Sequence, residues 1–275
     1  MPKIELIQGD CLEKMKDIPD GCIDLVVTSP PYDNLRTYNG SLDWGEHIWK
    51  PVIKELFRIV RDGGVVVWVV GDATIKGSET GTSFKQALYF KEAGFNLHDT
   101  MIWDKGNFTA VGALKTCYAP VYEYMFILTK GKIKTFNPIK DRENKHFGEV
   151  FHNTIRQKDG SIKDGCGKGV KQIAQYGQRH NIWRLPPEKD NNKRLHPAPF
   201  PEQLAHDHII SWSNEGDTIL DPFAGSGTVG KMAKQLNRSC ILIEKDPEYC
   251  EIAEKRINEN LSNLMEFEKE DIKIK

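Results

Sequence analysis

The stretch DPFAGSGT, residues 221–228, decides the fold because it joins a short apolar run to a helical pattern. The run before it, residues 218–220, is predicted to be a strand, and residues 228–236 are predicted to be a helix. Glycines in a strand-to-helix turn let the backbone approach a ligand, and the helix N-terminus offers free N–H groups. The stretch therefore predicts a ligand site at the end of a strand.

Strands and helices alternate on both sides of this turn. Further strands are predicted at residues 3–8, 23–28, 65–70, 97–103, 122–129 and 240–243. Further helices are predicted at residues 49–60, 82–93, 201–212 and 247–261, and residues 62–64 are expected to end the first of them. The alternation predicts an α/β, Rossmann-like fold with a mostly parallel sheet and helices on both of its faces.

An acidic residue follows the glycine turn at the spacing of a ribose-binding site. Glu244 ends the strand predicted at residues 240–243, about 20 positions after the glycines, where nucleotide-binding folds hold ribose hydroxyls. Gly225, Gly227 and Gly230 also match the dinucleotide pattern GxGxxG. These residues predict a nucleoside cofactor and leave a nicotinamide cofactor open.

A second turn, TSPPY at residues 28–32, ends the strand predicted at residues 23–28. Its two prolines remove two N–H donors, stiffen the chain and leave carbonyl groups as acceptors. Ser29 before them and Tyr32 after them complete a pocket suited to a planar group that bears an amine. The turn lies where open α/β sheets bind ligands, although a purely structural turn stays open for the motif taken alone.

The charge of the chain is unevenly distributed around a formal net charge of −1. Residues 131–194 carry 15 Lys and Arg against 7 Asp and Glu, whereas the rest of the chain carries 23 against 32. Aromatic residues are interleaved with the basic ones in this segment. The pattern favours a nucleic-acid-binding insert, and a solvated lysine-rich loop region is the alternative.

The composition is that of a globular chain. It has 275 residues, of which 39% are hydrophobic and 28% charged, and no apolar run approaches the length of a membrane span. The sequence MPKIELIQGD lacks the pattern of a signal peptide, and the six cysteines form no CxxC pair. We therefore expect a cytoplasmic location, no membrane partner and no metal site.

Together, the two turns resemble those of the DNA amino-methyltransferases, and their order resembles the permuted beta class, in which the SPPY turn comes first. Residues 9–10, 102–105 and 196–202 are similar to further segments of this group. The resemblance implies an S-adenosylmethionine-dependent methyltransferase fold with an inserted target-recognition region. It divides the chain into a catalytic part at residues 1–130, a target-recognition insert at 131–195 and a cofactor-binding part at 196–275.

The resemblance also implies a reaction, a methyl transfer from S-adenosylmethionine to the exocyclic amine of a base flipped out of double-stranded DNA. The implied catalytic residues are Ser29, Pro30, Pro31 and Tyr32. The implied cofactor-binding residues are Asp10, Cys11, Thr28, Pro201, Asp221, Phe223, Ala224, Gly225, Gly227, Thr228, Glu244 and Lys245. Among these, Glu244 would hold the ribose hydroxyls and Asp10 the adenine amine.

The target base is less firmly indicated than the reaction. A serine at the first position of SPPY is similar to the cytosine-N4 enzymes, whereas adenine-N6 enzymes more often have an aspartate there. Both side chains accept a hydrogen bond from an amine, so cytosine N4 is favoured and adenine N6 is the alternative. An RNA- or protein-directed enzyme is a more remote alternative, and a nicotinamide oxidoreductase would need an acid–base residue that TSPPY does not offer. A second copy of the chain and a cognate restriction nuclease stay open as partners.

Overall fold

The computed structural model describes residues 2–31, 44–106, 118–150, 154–164, 172–187 and 201–258. Tyr32, residues 196–200 and residues 259–261 therefore lie outside the described part of the chain. The helices are α1 (Cys11–Met15), α2 (Glu46–Ile59), α3 (Thr82–Glu92), α4 (Glu202–Trp212), α5 (Thr228–Gln235) and α6 (Pro247–Asn258). The strands are β1 (Ile4–Gln8), β2 (Ile23–Thr28), β3 (Val60–Val70), β4 (Thr74–Ile75), β5 (Ser78–Glu79), β6 (Asn96–Asp104), β7 (Tyr122–Thr129), β8 (Arg142–Glu143), β9 (Thr154–Arg156), β10 (Ile162–Asp164), β11 (Tyr176–Gly177), β12 (Ile182–Arg184), β13 (Thr218–Asp221) and β14 (Ser239–Glu244).

One eight-stranded sheet organises the fold, in the order β1-β14-β13-β2-β3-β7-β6-β12. Neighbouring strands are parallel except at β7, which is antiparallel to both β3 and β6. The valine run of β3 is buried along its length, as expected for a strand covered on both faces. The predicted α/β, Rossmann-like fold is confirmed.

Helices cover both faces of this sheet. The helices α1, α2 and α3 pack against one another over one face, and α4, α5 and α6 pack together over the other. Trp49 and Leu56 of α2 meet Val66 and Trp68 of β3 in a buried hydrophobic core. This packing leaves the two ends of the sheet as the places where a cleft can form.

Most predicted elements lie within one or two residues of the observed ones, and the glycines at residues 63–64 account for the largest difference. The sequence predicts that they end the first long helix, but α2 ends at Ile59 and β3 begins directly at Val60. The pairing between β2 and β3 shifts register between Ile23 and Leu25, and Gly63 adopts a positive φ of 81°. These glycines therefore form an irregularity inside β3 and do not terminate the helix.

The chain divides into two compact units, Met1–Asn137 with Asn181–Lys275, and Pro138–His180. The second unit spans fewer residues than the predicted insert at 131–195. Part of the difference arises because β12 pairs in parallel with β6 of the main sheet. Trp183 of β12 is buried there. Three residues with one buried side chain give too weak a pattern to be recognised as a strand.

The unit Pro138–His180 contains two short antiparallel pairs, β9 with β10 and β8 with β11. It exposes several large apolar side chains, namely Phe147, Val150, Ile162 and Tyr176. Its sequence carries nine Lys and Arg against five Asp and Glu. Its role in target recognition stays a prediction.

Within the described residues, none of the helices combines the length and the apolar character that crossing a membrane requires.

Candidate active site

The carboxyl ends of β1, β14, β13 and β2 meet at one edge of the sheet, because these four neighbouring strands are parallel. A cavity of about 420 Å³ opens at this edge. Eight of the predicted site residues line it, namely Asp10, Cys11, Ser29, Pro31, Phe223, Gly225, Glu244 and Lys245. The structure thus brings the two turns of the sequence analysis to one cleft, where open α/β sheets bind their ligands.

Glu244 is held in a fixed orientation at the end of β14. One carboxylate oxygen, Oε2, accepts a hydrogen bond of 2.7 Å from the N–H of Gly225, and the other, Oε1, accepts one of 2.8 Å from the N–H of Asp246. Burial raises the pKa of Glu244, while these backbone hydrogen bonds act in the opposite direction. Each oxygen keeps a further lone pair with which to accept from a ligand hydroxyl.

Asp10 begins helix α1 at the end of β1. Its Oδ1 accepts from the N–H of Leu12 at 2.9 Å, which caps the helix, and its Oδ2 lies 4.0 Å from Nζ of Lys245. Cys11 beside it is buried, and that burial raises its thiol pKa to about 12. The thiol is therefore neutral near pH 7 and is no nucleophile.

The two turns are joined by a buried hydrogen bond. Oγ1 of Thr28, the last residue of β2, donates to Oδ1 of Asp221 at 2.7 Å. The same oxygen of Asp221 accepts from the N–H of Phe223 at 3.1 Å. Burial raises the pKa of Asp221 to about 7, against these hydrogen bonds. Thr28 and Asp221 do not line the cavity but lie behind its wall, where they fix the Ser29 turn relative to the Phe223 turn.

The three glycines of the GxGxxG pattern, in the DPFAGSGT turn and at the start of α5, serve different purposes. Gly225 has a φ of 50° and lines the cavity. Gly227 has a φ of 77°, and a Cβ there would lie 2.8 Å from Cβ of Ala253 in α6. A Cβ at Gly230 would collide with the side chain of Leu242. Only Gly225 of these three glycines therefore faces the cavity, while the other two permit close packing of helices on the loop and the sheet.

Arg256 of α6 braces this turn from behind. Its guanidinium donates to the carbonyl oxygen of Ser226 at 3.0 Å, to Oγ1 of Thr228 at 3.1 Å and to Oε1 of Glu202 at 3.0 Å. The predicted residues Thr228, Ala224 and Pro201 are buried in this region and do not line the cavity.

Ser29 and Pro31 line the cavity at the end of β2, and Pro30 between them is buried. Tyr32, the fourth predicted catalytic residue, lies outside the described residues. Other residues of the wall were not predicted as site residues, namely Gly9, Trp44, Ile48, Pro222, Ile243, Asp246, Pro247 and Tyr249, although Gly9 and Pro222 lie in segments that the sequence analysis identifies. Most of these adjoin residues that the motifs identify, but Trp44 and Ile48 belong to no motif and nothing in the sequence marks them.

The fold and the cleft define a Rossmann-like methyltransferase, and comparisons with known proteins identify its family. A family model described as DNA methylase, of the N6/N4 type, matches residues 23–255. The orphan methyltransferase M.BamHII of Bacillus amyloliquefaciens is 49% identical over 253 residues, which cover 88% of this chain and 91% of that protein. The chain therefore belongs to the N6/N4 DNA methylase family and is a DNA amino-methyltransferase, as its sequence motifs predict.

Solved structures agree with this assignment. TTHA0409 of Thermus thermophilus, in complex with S-adenosyl-L-methionine, is 25% identical with a TM-score of 0.64, and the match covers 94% of this chain and 95% of that one. The cytosine-N4-specific PvuII DNA methyltransferase shares the fold with a TM-score of 0.68 at 20% identity, over 96% of this chain and 89% of its own. The prediction of S-adenosylmethionine as the cofactor agrees with the first of these structures.

Proposed function

We propose that this chain transfers a methyl group from S-adenosylmethionine to the N4 amine of a cytosine turned out of double-stranded DNA. The observation that carries the proposal is that Glu244, the glycine turn and the Ser29–Pro31 turn line a single cavity. Ser29, rather than an aspartate, at the first position of SPPY favours cytosine. Adenine N6 is the second candidate, because a hydroxyl oxygen accepts equally from either amine.

The cavity wall offers acceptors for the groups that such a cofactor donates. The fixed carboxylate of Glu244 suits two ribose hydroxyls, and the carboxylate of Asp10, one strand further along the sheet, suits the adenine amine. Phe223 and Gly225, in the turn that follows β13, also border the cavity and suit the methionine moiety. When bound, S-adenosylmethionine supplies an electrophilic methyl group on a sulfonium sulfur.

On the base side, the turn after β2 activates a poor nucleophile. The lone pair of an exocyclic amine is delocalised into its ring. Ser29 Oγ and the Pro30 carbonyl oxygen each accept a hydrogen bond from one N–H of the amine. Accepting both favours a tetrahedral nitrogen whose lone pair forms the N–C bond as the methyl–sulfur bond breaks. The methylated nitrogen then loses its proton to water, so the site needs no strong base. The stacking of Tyr32 on the flipped base rests on the family resemblance.

The decisive experiment is incubation of the purified chain with mixed-sequence duplex DNA and S-adenosylmethionine, followed by mass spectrometry of the digested nucleosides. N4-methylcytosine is the expected product. N6-methyladenine would keep the mechanism and reverse the base. Neither product, from protein that binds the cofactor and is given genomic DNA of several base compositions, would direct attention to RNA and protein substrates.

We further propose that the unit Pro138–His180 binds the DNA backbone. Replacing its exposed residues Lys145, Lys158 and Lys163 by glutamine is expected to flatten the salt dependence of duplex affinity. The slope of log K against log salt is negative, and each phosphate contact that is lost reduces its magnitude by about 0.9. The magnitude for the triple variant is therefore smaller by up to about 2.7. Fluorescence anisotropy titrations between about 50 and 200 mM salt measure this slope.

A matched variant separates local binding from a general change in charge. Lys16, Lys54 and Lys91 are also exposed but belong to the main unit. Their replacement by glutamine removes the same charge and is expected to leave the slope unchanged. Equal slopes for both triple variants would mean that DNA is bound elsewhere on the chain.

A homodimer and a cognate restriction nuclease stay open as partners of this chain, and the cytoplasmic location stays a prediction from the sequence.

A further inference from the structure

Two buried side chains link the Ser29 turn to the Phe223 turn. Thr28, directly before Ser29, is 1% exposed and donates from Oγ1 to Oδ1 of Asp221 at 2.7 Å. Asp221 is 5% exposed, and the same oxygen accepts from the N–H of Phe223 at 3.1 Å. Ser29 and Phe223 both line the cavity, so one carboxylate oxygen behind the wall is bonded next to each of the two turns.

This link lies where two neighbouring strands of the main sheet separate. Within the described residues, the pairing of β2 with β13 ends at Val26 and Leu220. Toward their other neighbours both strands stay paired further along, β2 with β3 as far as Thr28 and β13 with β14 as far as Asp221. The side-chain hydrogen bond between Thr28 and Asp221 therefore joins β2 to β13 beyond the end of their backbone pairing. Open α/β sheets bind ligands just outside the carboxyl ends of such strands.

A buried carboxylate is an expensive way to fill this space. Burial raises the pKa of Asp221 to about 7, because the charged form is disfavoured away from water. An apolar side chain would fill the same volume without that cost. What the carboxylate adds is direction, since its hydrogen bonds to Thr28 and Phe223 fix both the distance and the orientation between the two turns.

We propose that Thr28 is a positioning residue for methyl transfer, whose hydrogen bond to Asp221 aligns the Ser29 turn with the Phe223 turn. This inference rests on the proposed function, since it takes the first turn as the base side and the second as the cofactor side. In-line transfer tolerates little misplacement, because a shift of about 1 Å costs about 100-fold in rate. Thr28 acts through Ser29 and touches neither ligand, which differs from the cofactor contact that the family resemblance implies for it.

The test removes the hydroxyl of Thr28 and compares the result with the loss of a matched hydroxyl. Thr28→Val keeps the shape of the side chain without the donor, whereas Thr28→Ser keeps the donor. Thr129 is the control, because it also ends a strand, is 1% exposed and donates from Oγ1 to the carbonyl oxygen of Gly131 at 3.1 Å. Since β3 is parallel to β2 and antiparallel to β7, Thr129 lies at the edge of the sheet opposite the cavity.

Two quantities are measured for each variant. Calorimetry gives the affinity for S-adenosylhomocysteine, and single-turnover transfer of labelled methyl groups from S-adenosylmethionine to unmethylated genomic DNA gives the rate. Thr28→Val is expected to lower the rate about 10- to 100-fold and to leave the affinity within about twofold. Thr28→Ser is expected to restore the rate to within about threefold, and Thr129→Val to leave both quantities within about twofold. Melting curves show which variants fold, and Thr28→Ala replaces Thr28→Val, with the same expectation, if the valine variant does not.

Three outcomes overturn the inference. An unchanged rate in Thr28→Val means that the hydrogen bond does not position the turns, and an equal loss of rate and affinity means that Thr28 belongs to the cofactor site. A loss of rate in Thr129→Val as large as in Thr28→Val means that the effect is general destabilisation. The label is counted whichever base receives it, so an adenine product revises the proposed base and leaves the inference standing. No transfer by the unaltered protein overturns the proposed function, and the inference with it.

Discussion

Replacing Gly225 by valine is expected to abolish cofactor binding, with affinity for S-adenosylhomocysteine falling at least about 100-fold. Gly225 lines the cavity, has a φ of 50°, and its N–H fixes the carboxylate of Glu244 at 2.7 Å. A valine at this cavity-lining position is expected to narrow the space for the cofactor, and overpacking of this kind costs about 1–3 kcal/mol. Any displacement of the Glu244 carboxylate adds to this loss. Calorimetry with S-adenosylhomocysteine measures the loss.

Backbone strain alone must be separated from this effect, since a β-branched residue at positive φ costs about 1–3 kcal/mol in stability. Gly216 offers the matched control, because it has a φ of 85° and an added Cβ there would meet no atom within 4 Å. Gly216→Val is expected to lower the melting temperature to a similar degree and to leave cofactor affinity within about twofold. If it weakens binding as strongly as Gly225→Val, the loss comes from destabilisation and Gly225 has no direct part in binding.

The strands of the main sheet could be predicted because their ends coincide with changes in residue type. The strand predicted at residues 122–129 matches β7 throughout, and the strand at 23–28 matches β2. In both, an apolar run is bounded by polar, proline or glycine residues, so the local signal and the tertiary environment agree.

Elements that depend on distant partners could not be found in this way. Helix α1 has five residues, too few for a helical repeat, and it exists because Asp10 caps it and Met15 is buried. Strand β12 pairs with Ile102–Asp104, about 80 positions earlier in the chain, and only Trp183 of its three residues is buried. The local sequence predicts neither the short helix α1 nor the pairing of β12 with β6.

The site also contains features that the sequence predicts and features that depend on contacts between distant parts of the chain. A glycine motif shows where Cβ atoms are absent, but it does not show whether a ligand or another helix occupies the space that a side chain would take. Gly225 faces the cavity, whereas Gly227 meets Ala253. The sequence predicts Thr28 as a cofactor-binding residue, but its hydroxyl donates to Asp221 behind the wall. Roles at this level depend on which elements the fold brings together.

Replacing Ser29 by alanine is expected to lower the methyl-transfer rate by about one to two orders of magnitude while cofactor affinity changes by less than about twofold. Ser29 directly follows β2 and lines the cavity. In the proposed mechanism its hydroxyl accepts a hydrogen bond from the target amine as the nitrogen becomes tetrahedral. That hydrogen bond strengthens as charge develops on the nitrogen, so its loss falls on the transition state rather than on the bound cofactor. Single-turnover transfer to duplex DNA, with calorimetry on S-adenosylhomocysteine, separates the two quantities.

The variant Ser29→Asp distinguishes an acceptor from a residue that only shapes the turn. An aspartate keeps an acceptor at this position, so transfer is expected to exceed that of Ser29→Ala, with the product base unchanged if base choice lies elsewhere in the site. An equal loss of cofactor affinity and rate in Ser29→Ala would contradict the assignment to the base side. A Ser29→Asp variant as slow as Ser29→Ala would show that the hydroxyl does not act as the acceptor, because an acceptor at this position would then have failed to restore the rate.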